Sequence, residues 1–153
     1  MFVFIKSINV SGFKNVPESE PKKFNFYNHT MIRGENFSGK TSLGDALCWV
    51  FCGCGSTGIT AEYILRNDQS SAISVEAVFQ DNKGAEHCLL REQSGNNMRL
   101  SLDGLPVRES ELTAYIGSPE MFMATFMIGY FHRMTSKNAK ELLMGVLPFP
   151  THQ

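Results

Sequence analysis

Two periodicities follow one another along this chain. Residues 2–10 (FVFIKSINV) alternate apolar and polar positions and are rich in β-branched types, which predicts a strand with one buried face. Ser11-Gly12 breaks that pattern, and the stretch 15–23, carrying Pro17 and Pro21, reads as a turn-rich connection. A second short strand is predicted over 24–27, antiparallel to the first. Residues 29–33 form a third short extended run that feeds straight into a glycine-rich loop. From Gly39 the period becomes helical: Leu43, Ala46, Leu47, Val50 and Phe51 recur on one face, and Gly53 and Gly55 mark the stop. The spacing predicts a helix over 39–52.

After a polar interval with a short helical stretch at 61–65, alternation returns three times, in ISVEAVFQ, EHCLLREQ and MRLSLDG. The turns between and after these runs fall at Asp81-Asn82-Lys83-Gly84, Ser94-Gly95-Asn96-Asn97 and Asp103-Gly104. Each turn carries residues that tolerate positive φ, so a β-meander is expected. The remainder turns helical, over 109–115, 119–127 and 136–146, before Pro148 and Pro150 end the pattern. The fold class expected is α/β, an antiparallel meander packed with the loop strand and its helix, followed by a helical part. No internal repeat or low-complexity segment interrupts it.

Composition narrows the function. With 153 residues the chain has room for a single domain with a real core. Hydrophobic residues at 42% against 19% charged residues argue against disorder. The formal net charge of −1, from 14 Lys and Arg against 15 Asp and Glu, lacks the basic excess of a domain that grips DNA unaided. The start of the chain alternates and includes Lys6, unlike a secretory leader. There is also no run of about 18 apolar residues of the kind that crosses a bilayer. A cytoplasmic protein without a membrane partner is expected. Cys48, Cys52, Cys54 and Cys88 lack the paired spacing of a zinc site and read as reduced thiols.

The chemistry is carried by Gly34-Glu35-Asn36-Phe37-Ser38-Gly39-Lys40-Thr41, a G-x-x-x-x-G-K-[ST] pattern placed directly after an extended run and before an amphipathic helix. A polyphosphate carries several negative charges. Such a loop answers them with inward-pointing N–H groups and the positive end of the helix dipole. Gly34 and Gly39 permit the tight path, and Lys40 is placed to reach the β- and γ-phosphates. The hydroxyl of Thr41 is placed on a bridging Mg²⁺, and Ser42 adds a hydroxyl at the α-phosphate. A nucleoside triphosphate with Mg²⁺ is the expected ligand.

Equally informative is what does not appear. A hydrolysing enzyme of this type needs an acidic residue after a continuous apolar strand, to hold Mg²⁺ and orient water. Asp81 and Asp103 instead follow alternating runs and read as turn residues. The chain carries one half of an ATPase site.

Taken in order, the strand with INVSGFKN, the loop GENFSGKTSLGDALCWVFCG, the meander, then SLDGLPVRESEL and helices resemble the N-terminal lobe of SMC-like ATPases of the SbcC/RecF type. The likeness covers nearly the whole chain. It is similar above all to short bacterial and phage SMC-like ATPases, in which a comparable DG-x-PV turn precedes Phe-rich helices. The resemblance implies that a coiled coil and a C-terminal lobe, bearing the signature motif, the acidic strand and a switch histidine, complete the site. It implies that two heads sandwich ATP, so a C-terminal lobe of the same or another chain is a partner and a homodimer is open. DNA is engaged only by the complete assembly. Residues 1–153 then represent either a head cut before the coiled coil or a naturally shortened relative.

By the same resemblance Lys14 and Asn15 fall where phosphate or ribose is contacted, and Arg66 lies in a segment that can face the nucleotide. Two departures stand out. Phe37 replaces a small residue after the loop Asn, where its ring either clashes with a tight turn or stacks on a neighbour. Ile128, in MIGYF, stands where the family has a Gln that reaches Mg²⁺ and the attacking water.

Met121, Phe122, Met123, Phe126, Met127, Tyr130 and Phe131 are denser in apolar atoms than one helix face needs. Core packing accounts for most of them, with a lobe contact as the sharper alternative. His132 and Arg133, next to that run, are either ligand contacts or structural, the usual role of a lone His beside an apolar helix, and His29 reads as structural. Three functions compete: the nucleotide-binding half of an SMC-like head in DNA repair, recombination or maintenance; a non-enzymatic head mimic that binds a full-length relative; and a small stand-alone P-loop NTPase or kinase.

Overall fold

The computed structural model describes residues 3–34, 39–127 and 129–146. Its centre is a six-stranded sheet, entirely antiparallel, in the order β2-β1-β3-β4-β5-β6. The strands are β1 (Phe4–Ser11), β2 (Lys22–Asn25), β3 (Ile73–Gln80), β4 (Glu86–Ser94), β5 (Asn97–Leu102) and β6 (Leu105–Pro106). The helices are α1 (Lys40–Cys52), α2 (Glu62–Leu65), α3 (Glu109–Ile116), α4 (Pro119–Phe126), α5 (Tyr130–Arg133) and α6 (Ser136–Val146).

Alternation decides which face of the sheet is wet. In β3 every second residue, Ile73, Val75, Ala77 and Phe79, is buried, as a strand with one covered face requires. Ile8 and Val10 of β1 and Leu89 of β4 join them on that face. Onto it packs α1, apolar enough to bury Leu43, Ala46, Leu47, Trp49, Val50 and Phe51. Phe51 meets Phe79 edge-on at 5.6 Å and Phe122 of α4 at 4.8 Å, so one aromatic cluster ties sheet, α1 and the helical part together. Helix α1 ends where the sequence placed its end: Gly53, at φ 75°, closes it by donating its N–H to Trp49 O.

Four sequence expectations shift. The second strand sits at Lys22–Asn25 rather than 24–27, because Lys22 pairs with Val10 and Asn25 with Ser7. The chain peels away after that, with Phe26 still bonded to Lys6 O. The run 29–33 forms no strand. Tyr27 N–H turns onto Thr30 Oγ1, and Met31 and Ile32 stand 73% and 50% exposed, with no neighbouring strand among the described residues to pair them. β6 is a two-residue addition made by the Asp103-Gly104 turn. Gly129, at φ 81°, separates a short α5 from α4 inside the run read as one apolar stretch. Of that stretch Phe122 and Met123 are core, and Phe126 is exposed.

Candidate functional site

Helix α1 begins at Lys40, preceded by Gly39 in the left-handed region at φ 94°. A Cβ there meets no atom of the described residues within 4 Å, and the positive φ itself calls for glycine. The first helical bond runs from Leu43 N–H to Gly39 O, which leaves the preceding N–H groups without helical partners. Gly39 supplies no side-chain cap, and the first turn carries no acid. An uncapped, uncountered helix start is what an anion needs. The ammonium of Lys40 folds back to donate to Gly34 O at 2.5 Å. Thr41 is exposed on the first turn and Ser42 is buried behind it. These residues fit a Mg²⁺-bound triphosphate. Glu35, Asn36, Phe37 and Ser38 lie outside the described residues, as does Ile128.

Behind the loop lies a buried acid that the sequence reading did not single out. Asp45, on the inner side of α1, accepts from Ser56 N–H at 2.8 Å and from the Ser56 hydroxyl, and pairs with the Lys14 ammonium. Burial pushes its carboxyl up, but Lys14 and Ser56 outweigh that and hold it below the ordinary carboxylate value. The one signal in the sequence was an acid set among the apolar positions of a core helix. Asn15, next to Lys14, is exposed in a turn. Arg66 is committed locally: Nη1 donates to Ser70 O at 2.8 Å and Nε stands 2.8 Å from Glu62 Oε1.

Asp81 and Asp103 are turn residues, as expected. Asp81 Oδ1 accepts from Lys83 and Ala85 N–H at 2.8 and 2.9 Å, and Asp103 Oδ1 accepts from Cys88 N–H at 2.8 Å. Their other oxygens flank His87, Asp103 at Nδ1 (2.8 Å) and Asp81 at Nε2 (3.3 Å), while Phe79 and Tyr115 pack on the ring. Asp103 raises the His87 pKa most, partial burial opposes this, and Asp81 adds to the rise. His87 in turn lowers that of Asp103.

A raised folded value stabilises fully below the ordinary histidine pKa of 6.5 and is lost as pH climbs through the shifted value. The lowered Asp103 contributes above its ordinary 3.8 and is lost as pH falls through its shifted value. The melting temperature should therefore fall as pH rises above 6.5 and through the shifted His87 value, and His87→Gln should flatten that fall. An unchanged pH profile in the variant counts against the clasp.

All four cysteines are free thiols. Burial pushes Cys48 up to about 12 and Cys88 up to about 11, so both are neutral and unreactive near neutral pH. Among the described residues no group of three or more His, Cys, Asp or Glu converges as a metal site, and no helix is long and apolar enough to cross a membrane.

No protein-family model matches the chain, and no curated protein matches it by sequence. Solved structures do. A chain from work on ATP-driven dimerization and DNA-stimulated activation of SMC ATPases superposes with a TM-score of 0.65 at 21% identity, over 94% of this chain and 99% of that one. The recombination mediator RecF with ATP, of the RecFOR pathway, superposes at 0.61 and 20% identity, over 69% of this chain and 28% of RecF. A second RecF structure gives 0.62 over 72% and 29%. This chain therefore spans less than a third of those RecF chains. The fold is that of an ABC-type ATPase head lobe, of the kind found in SMC proteins and RecF.

Proposed function

We propose that this chain is the ATP-binding lobe of an SMC-like ATPase head and requires a C-terminal lobe, from its own or another chain, for hydrolysis. One observation carries the proposal: a G-x-x-x-x-G-K-T loop enters α1 of this head-lobe fold at a helix start with no cap and no acid. In this role Lys40 leaves Gly34 O for the β- and γ-phosphates, and N–H groups at the start of α1 surround the β-phosphate. Thr41 and Ser42 supply hydroxyls to the metal and the α-phosphate, and Lys14 and Asn15 approach from the side of β1. Mg²⁺ held there would supply charge neutralisation to the phosphates.

Two features support the need for a second lobe. The acids after the meander strands are occupied by their own turns and His87, so none is placed to hold Mg²⁺ or orient water. The segment 27–33, which follows the edge strand β2, also offers exposed Tyr27, Met31 and Ile32, a surface suited to a partner. By analogy with the recombination mediator among its structural neighbours, the assembled head serves DNA repair, recombination or maintenance, with ATP-dependent dimerisation as its mechanical output. The test is turnover. The chain alone should bind Mg-ATP yet release phosphate no faster than buffer, and adding a C-terminal lobe with signature and acidic motifs should start hydrolysis. Vigorous turnover by the chain alone would instead favour a stand-alone NTPase or kinase.

A further inference from the structure

Only two described non-glycine residues have positive φ, Asp103 in its turn and Lys14 at φ 47°. Such a conformation persists where the surroundings over-determine it. Lys14 is held from three sides: its N–H donates to Leu65 O at 2.8 Å, its carbonyl accepts from Asn67 Nδ2 at 2.5 Å, and its ammonium pairs with Asp45. The preceding turn is equally fixed, because a Cβ on Gly12 would stand 1.9 Å from Ala72 O.

At the other end of the pair, the Asp45 side chain is only 3% exposed and its remaining oxygen is filled by Ser56. Asp45 follows Thr41 by four residues on α1, so the two share a helix face about one turn, roughly 5–6 Å, apart. Lys14 nevertheless keeps 28% of its side chain exposed. An ammonium has three N–H donors, and one carboxylate oxygen does not use them all.

We propose that Asp45 is a positioning residue: through its ion pair it holds the Lys14 ammonium beside the first turn of α1, as a second cation for the nucleotide's phosphates. This rests on the phosphate-binding role of the loop. The charges agree with it. An unpaired buried carboxylate one turn from the helix start would repel a polyphosphate, whereas the pair is neutral and turns a donor outward.

The test is titration of Mg-ATP by calorimetry at several salt concentrations, with thermal unfolding alongside, on wild type, Lys40→Ala, Lys14→Met, Asp45→Asn and the Lys14→Met/Asp45→Asn double variant. Asn at position 45 keeps an acceptor for Ser56 and removes only the charge that anchors Lys14. Lys14→Met and Asp45→Asn should each weaken binding by roughly tenfold and make its salt dependence shallower. The double variant should bind no more weakly than Lys14→Met alone, because Asp45 acts through Lys14.

Should Asp45→Asn fail to fold, Lys14→Met against Lys14→Arg decides: the Arg variant keeps the wild-type salt dependence and the Met variant loses it. Asp45→Asn binding as tightly as wild type or tighter, additive losses in the double variant, or a Lys14→Met change confined to melting temperature would each overturn the proposal. Absence of Mg-ATP binding by wild type would instead overturn the nucleotide reading and take this proposal with it.

Discussion

Lys40→Ala should abolish useful Mg-ATP binding while leaving the fold intact. The ammonium is the one compact cation placed on the loop itself, and charge-assisted bonds to phosphate contribute about 3 kcal/mol, on the order of a hundredfold in Kd. Among the described residues its only hydrogen bond is to Gly34 O, in an exposed position, so the loss of that bond should hardly move the melting temperature. Lys40→Arg should recover only part of the affinity, because a planar guanidinium does not reproduce the compact point charge of an ammonium. Calorimetric titration beside a thermal melt separates the two effects. An alanine variant that binds Mg-ATP as wild type does would place the nucleotide elsewhere.

The second large effect concerns stability. Arg91 is 0% exposed, yet it is charged, and its needs are met in one place: Nε donates to Val50 O at 3.1 Å, Nη1 and Nη2 face the Glu109 carboxylate, and Trp49 lies under the guanidinium at 5.8 Å. Through these contacts β4, the end of α1 and the start of α3 are tied at a single residue. Removing Glu109 strands a buried cation, whereas replacing Arg91 by an apolar residue of similar length removes the need for a partner. Glu109→Ala should cost about 3 kcal/mol, the low end for breaking a buried pair because Glu109 is half exposed and water can approach. Arg91→Met should cost less, about 1–2 kcal/mol, mostly the orphaned Val50 carbonyl. Urea denaturation reads both, and a costlier Arg91→Met would mean that packing against Trp49, not charge, is the main contribution.

How much of this was legible before the fold was in hand depended on whether a residue's neighbours were local. The β3–β4–β5 meander and α1 could be read because ISVEAVFQ alternates cleanly and because Gly53 stops the helix in the left-handed conformation only glycine adopts easily. Residues 29–33 looked like a strand by composition, but a strand exists only with a partner, and none of the described residues pairs with it. β2 slid two residues because Val10 and Ser7 of β1, not its own apolar pattern, set the register. In EHCLLREQ the adjacent leucines hid which face turns inward; Leu89 and Phe79 settle it, and Arg91 follows Leu89 into the core.

The site divides in the same way. Lys40 and Thr41 announce themselves because the motif is contiguous. Lys14 was flagged only through resemblance, and Asp45 not at all. Their pairing spans 31 positions of sequence and comes into being only when the β1 turn folds against α1.

The most direct measurement is a crystal structure of the chain grown with Mg²⁺ and a non-hydrolysable ATP analogue. The expected result is a β-phosphate ringed by the N–H groups at the start of α1, the Lys40 ammonium moved from Gly34 O onto the phosphates, and Thr41 on the metal. Nucleotide bound away from α1, or a loop hollow filled by the Phe37 ring with excess analogue present, would contradict it.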